Sequence, residues 1–157
     1  MDNSHKLMLA LAALAFPAVG ATAHAMLTRT TPLCFTGGTL TYQISAATPA
    51  DVAVRIDNAS TNPDLRIRLV DQPDEADLIL ADDQTMNENT ACAGSALKTV
   101  RIVPGSTRSD VTVALASDGA EADASIYVRS ARFSTEQAAA LKAAMWTIEQ
   151  RARIAGR

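Results

Sequence analysis

The sequence is poor in histidine, cysteine and aromatic side chains, and each shortage removes chemistry. It holds two histidines, His5 and His24, both within the first 25 residues. Once that segment is removed no imidazole remains, which excludes Ser-His-Asp and Cys-His nucleophilic machinery, the usual general base near neutral pH and the commonest transition-metal ligand. The two cysteines, Cys34 and Cys92, lack the CxxC spacing of redox and zinc sites. Aromatic residues amount to 4%, few for a cleft that stacks sugars. Basic charge is also short, 14 Lys and Arg against 17 Asp and Glu for a net charge of −3, so no nucleic-acid footprint is expected. The longest apolar stretch, Leu7 to Val19, falls below the ~20 residues that span a bilayer, and no stable membrane insertion is expected.

That stretch has another reading. Lys6 supplies a basic n-region, Leu7 to Val19 the apolar core, and Ala23-His24-Ala25 a small-x-small cleavage site, the three parts of a secretory signal. Residues 1–25 are therefore expected to be cleaved, and 26–157 to form one exported α+β domain, periplasmic or secreted. Cleavage after Ala23 instead would leave His24 as the N-terminus, an amine and imidazole suited to copper but without a second histidine. Leu33 ahead of Cys34 is too bulky for a lipoprotein acceptor site. In an oxidising compartment the two cysteines are expected to pair.

The mature segment alternates as half-buried strands do. After a polar lead-in from Met26 to Gly38, strands are predicted at Thr39 to Ile44, Val52 to Ile56, Leu65 to Leu69, Asp77 to Ala81, Lys98 to Val103, Val111 to Ala116 and Ala124 to Arg129. Turns at Thr48-Pro49, Asn62-Pro63-Asp64, Gln72-Pro73, Pro104-Gly105 and Asp118-Gly119 separate them. Ser134-Thr135-Glu136-Gln137 is a capping box with Phe133 as its staple. The helix it opens carries an apolar stripe of Ala138, Leu141, Met145, Ile148 and Ala152 and ends near Gly156. No internal repeat is read. Short connections between short strands predict a mostly antiparallel sheet of five to seven strands with the helix packed on its apolar face. The stretch LRIRLVDQPDEADLIL, Leu65 to Leu80, resembles a strand-turn-strand of bacterial envelope proteins, among them the N-terminal domain of the Tol-system translocation protein; it assigns no family.

Alternation places Arg55, Arg66, Arg68, Arg101 and Arg129, with Tyr127, on the face away from the Val, Ile and Leu residues. Guanidinium groups grip carboxylates and phosphates in a two-point fork, so this face suits an anionic ligand or an acidic partner. Trp146 stands off the apolar stripe beside Lys142, Glu149 and Arg153, as an exposed interface anchor would. Residues 70–97 hold Asp71, Asp74, Glu75, Asp77, Asp82, Asp83 and Glu88 without a basic side chain, and Asn87 and Asn89 add neutral oxygens. These suit Ca²⁺ in ligand type but lack a calcium-loop spacing. They are also the groups left for carboxylate catalysis such as glycoside hydrolysis, with Asp82 and Asp83 as the test pair. The leading expectation is a non-catalytic periplasmic accessory protein that binds an envelope protein or anionic ligand and has no metal or other cofactor. The alternative is a carboxylate-dependent hydrolase of cell-wall or glycan material.

Overall fold

The computed structural model describes residues 32–82, 92, 96–116 and 120–157. The expected export signal at residues 1–25, and Asp83, Asn87, Glu88 and Asn89, lie outside the described residues. The chain runs β1 (Leu33–Gly37), β2 (Leu40–Ile44), β3 (Val52–Ile56), β4 (Leu65–Leu69), a 3₁₀ turn (Pro73–Glu75), β5 (Leu78–Ala81), β6 (Leu97–Ile102), β7 (Val111–Ala116), β8 (Ala124–Arg129) and α1 (Thr135–Ala155). The strands form one eight-stranded sheet in the order β1-β2-β6-β3-β7-β4-β8-β5. The α+β class and the C-terminal helix agree with the sequence reading. The strand number and direction do not: the described residues form eight strands, and every neighbouring pair is parallel except β1 with β2.

The reason is stagger. Parallel neighbours ordinarily need a long crossover to return the chain to its starting level. Here Ile44 and Val52 flank the same residue, Val100, so the connection 45–51 only steps over β6 and never travels back. The same step recurs where Ile56 and Leu65 flank Val113 and where Leu69 and Leu78 flank Ile126. The second half of the chain does likewise, Ile102 and Val111 flanking Val54. Two stretches, 40–81 and 97–129, thus leapfrog each other across the sheet.

This plait rests on a 13-residue repeat, which corrects the reading of none. Asp51, Asp64 and Asp77 are spaced by 13, as are Asp110 and Asp123, and each immediately precedes a strand. In every case the carboxylate accepts the backbone N–H of the second or third residue of the preceding strand in sheet order, at 2.7 Å: Asp51 from Thr99, Asp110 from Ala53, Asp64 from Thr112, Asp123 from Arg66 and Asp77 from Ser125. Four of the five also return their own N–H to the same residue's carbonyl, at 2.7 to 3.0 Å; Asp51 donates instead to Thr99 Oγ1 at 3.0 Å. A staggered parallel ladder leaves such groups without a strand partner, and the aspartates satisfy them.

Between clamps, alternate side chains enter the core: Val52 and Val54, Leu65 and Ile67, Leu78 and Leu80, Val111 and Val113, Ala124 and Ile126 are all buried. α1 covers that face. Its capping box is formed, Gln137 N–H donating to Ser134 Oγ at 3.2 Å and Ser134 N–H to Gln137 Oε1 at 2.8 Å, and Phe133 is buried beneath it. The buried side of the helix is Ala138, Ala139, Ala140, Leu141, Ala143, Ala144 and Thr147, and Thr147 satisfies its hydroxyl on Ala143 O at 2.8 Å. The expected stripe is corrected at one end, since Ala152 is exposed, while Met145 and Ile148 are half-buried. Alanines bring the helix backbone close to the valine-rich sheet. Arg151 fastens its last turns to the plait, donating to Asp51 O at 3.0 Å and to the Asp110 carboxylate at 2.9 Å.

The predicted polar lead-in contains β1, which pairs with β2 through a two-residue turn at Gly38 and Thr39. Gly38 has φ 63°, a left-handed conformation that glycine adopts without steric cost and that such hairpins require. Cys34 on β1 is buried and bonded to Cys92, with the Cα atoms 5.4 Å apart.

Candidate binding surface

The arginines share the face opposite α1 but not one environment. Arg55, on β3, donates through Nη2 to Ser109 Oγ at 3.0 Å and to Thr107 O at 3.4 Å, so it props the connection 103–110 against the sheet. Arg66, on β4, donates to Thr61 O at 3.2 Å and props the connection 57–64. It also borders a shallow concavity of about 560 Å³ with Asn58, Ser60, Ala114, Glu121 and Asp123. Asp123 is committed to its clamp, and Asn58 Oδ1 accepts Leu115 N–H at 2.9 Å, which leaves Ser60 and Glu121 as polar groups without such a duty. Arg101 on β6 is half-buried, and its Nε, like that of Arg55, is shielded without a hydrogen-bond partner among the described residues.

Toward β5 the surface differs. Arg68 on β4 stands level with Ser125 of β8, Tyr127 lies two residues further on, and Arg129 two beyond that. Arg68 and Arg129 are exposed and Tyr127 half-buried. Ile79 of β5 stands level with Tyr127 and is 41% exposed. The last three strands of the sheet thus carry two exposed arginines, Arg68 on β4 and Arg129 on β8, with Tyr127 on β8 and Ile79 on the edge strand β5. Trp146 does not join them. It lies on the helix side of the sheet, half-buried and packed against the core, which corrects its reading as an exposed anchor.

The acidic residues fall into two groups. Asp77 serves the Ser125 clamp, and that backbone hydrogen bond holds its carboxyl below the usual range. Asp82 accepts Ser130 Oγ at 2.6 Å and the N–H of Ala131, and these bonds lower its pKa in the same way. Asp71, Asp74 and Glu75 are exposed on the turn between β4 and β5. Among the described residues no group of three or more His, Cys, Asp or Glu side chains gathers to hold a metal ion, and no helix is long and apolar enough to cross a membrane.

Sequence reasoning missed the clamps. Their signal is legible in retrospect as an aspartate directly ahead of an apolar residue, recurring at 13-residue steps in two series. Comparison with protein families, with curated proteins and with solved structures gave no match for this chain.

Proposed function

We propose that this chain is a non-catalytic accessory protein of an oxidising, extracytoplasmic compartment that binds an envelope protein or an anionic envelope component. The observation that carries the reading is the surface of the last three strands, which exposes Arg68 on β4 and Arg129 on β8 on the same face as Tyr127 of β8 and Ile79 of β5. Exposed guanidiniums suit carboxylate or phosphate recognition. The disulfide accords with an oxidising compartment. The carboxylate-hydrolase alternative draws less support, because Asp77 and Asp82 spend their oxygens on backbone and serine donors.

The test is native mass spectrometry of the protein released gently from its own compartment, wild type beside an Arg68→Glu, Arg129→Glu double variant. Bound mass on the wild type that is lost from the double variant supports the reading. Bound mass retained equally by both would remove the arginine surface from the account.

A further inference from the structure

The plait has an unfinished end. Each clamp joins a strand to the aspartate that precedes the next strand across the sheet, and the series runs from β6 through β3, β7, β4 and β8 to β5, where it stops. Ile79 holds on β5 the place that Arg66 holds on β4, 13 residues earlier. The registers match: Leu65 stands level with Val113 as Leu78 does with Ile126. Arg66 turns its N–H and C=O toward the next strand, where the Asp123 carboxylate accepts the N–H and Asp123 N–H donates to the C=O. In β5 the alternate residues face β8, as Asp82 N–H does in reaching Arg129 O at 3.2 Å. Ile79 therefore presents its N–H and C=O to the outer edge, where no described residue meets them.

The chain has no further aspartate of the required kind. Of its twelve aspartates, five stand directly before an apolar residue, Asp51, Asp64, Asp77, Asp110 and Asp123, and all five are engaged in clamps. The other seven precede a polar residue or glycine. Residues 1–157 hold no unengaged aspartate of this kind to make a sixth clamp.

We propose that the β5 edge is the docking site for an extended segment of a partner protein, added parallel to β5, in which an aspartate precedes alternating apolar residues and clamps Ile79. This rests on the reading that the chain binds a protein and names the segment it recognises. Main-chain hydrogen bonds supply the affinity of strand addition, and the flanking pockets and charges supply its selectivity. Exposed Arg129, level with Ala81 on the strand beside β5, favours an acidic group near this edge, and Ile79 offers the apolar contact that an added strand would cover. An open apolar edge is otherwise a site of indiscriminate pairing, so a dedicated occupant also accounts for LILA being tolerated there.

The probe is a fluorescein-labelled synthetic peptide with the sequence of residues 109–116, SDVTVALA, titrated by fluorescence polarisation into the disulfide-bonded protein spanning residues 26–157. Saturable binding is expected, weakened at least tenfold when the peptide aspartate becomes alanine. It is expected to be lost in the Ile79→Pro variant, which removes the N–H at a position where edge strands tolerate proline. Circular dichroism and the melting temperature check that this variant folds, and Ile79→Lys, which keeps the N–H, should retain the tenfold aspartate dependence. Hydrogen exchange should show the Ile79 amide unprotected in the free protein and protected with peptide. The proposal is overturned by no binding at millimolar protein, by binding indifferent to the peptide aspartate, by an Ile79 amide already as protected as that of Arg66, or by a dimer that Ile79→Pro abolishes. Binding that Arg68→Glu with Arg129→Glu destroys but Ile79→Pro leaves intact would overturn strand addition and leave the arginine surface standing.

Discussion

Asp110 and Ala53 hold each other twice: the Asp110 carboxylate accepts Ala53 N–H at 2.7 Å, and Asp110 N–H donates to Ala53 O at 2.7 Å. The two residues are 57 apart in sequence, and the same separation joins Asp123 to Arg66. The other three clamps all span 48 residues. Constant separations of two kinds are what two interleaved repeats of equal period produce, so each clamp also sets the register of one stretch against the other.

Removing one clamp should cost stability without changing the fold. Asp64→Ala leaves Thr112 N–H without its acceptor and is expected to lower unfolding free energy by about 1–3 kcal/mol. Asp64→Asn keeps a neutral acceptor and should lose about half as much. Urea denaturation followed by circular dichroism measures both. An alanine variant as stable as wild type would show that the clamps contribute nothing.

The clamps also set an acid limit. Backbone hydrogen bonds from Thr99 and Ser125 hold the carboxyls of Asp51 and Asp77 below their ordinary value of 3.8. For a group whose folded pKa is depressed, the stabilisation is complete above the unfolded value and disappears as pH falls through the folded one. Stability should therefore be insensitive to these two groups above about pH 5 and decline below about pH 4. An Asp51→Asn, Asp77→Asn double variant should be less stable at neutrality and show a shallower acid limb in melts taken from pH 7 to pH 2.

The disulfide closes 58 residues, which in the chain-entropy picture restrains the unfolded state by about 4 kcal/mol. Cys34→Ser with Cys92→Ser, or reduction with a phosphine, should lower stability by an amount of that order. The denaturant midpoint with and without reductant reads it directly, and an unchanged midpoint would contradict it.

The arginines should separate by role. Arg55→Ala removes the contacts to Ser109 and Thr107 and is expected to cost about 1 kcal/mol. Arg68→Ala, at an exposed position, should stay within about 0.5 kcal/mol. Thermal melts of the two variants side by side make the comparison, and equal losses would contradict the division between propping and presenting arginines.

The helix-sheet contact should resist added volume. Ala140 and Ala144 are fully buried, and Ala144→Leu would force the helix from the sheet at a cost of about 1–3 kcal/mol. A variant that melts at the wild-type temperature would mean the alanine face is not closely packed.

Much of the element list was legible because alternation and capping are local. Val52-Ala53-Val54-Arg55 and Leu65-Arg66-Ile67-Arg68 carry the period of two in their own residues, and Ser134 with Gln137 declares a helix start. β1 escaped because Leu33 to Gly37 follows Pro32 and ends in Gly37, the first of two glycines, where turn residues mask a short strand. Trp146 was misplaced because the helix turns its alanines, rather than its larger apolar residues, most deeply inward, and a hydrophobicity stripe does not register that.

The sequence by itself determined where seven of the eight described strands and the helix lie, which side of those strands is apolar, which two cysteines exist to pair, and the 13-residue recurrence of aspartate. Strand direction and neighbours were decided only in three dimensions. A connection of seven or eight residues is as compatible with a hairpin as with a step over one strand, and the choice depends on whether a second stretch of chain lies between. That second stretch begins only at Leu97. The same holds for the aspartates: each is an ordinary turn residue in sequence, and becomes a clamp because the backbone N–H it meets, 48 or 57 residues away, has no strand partner of its own.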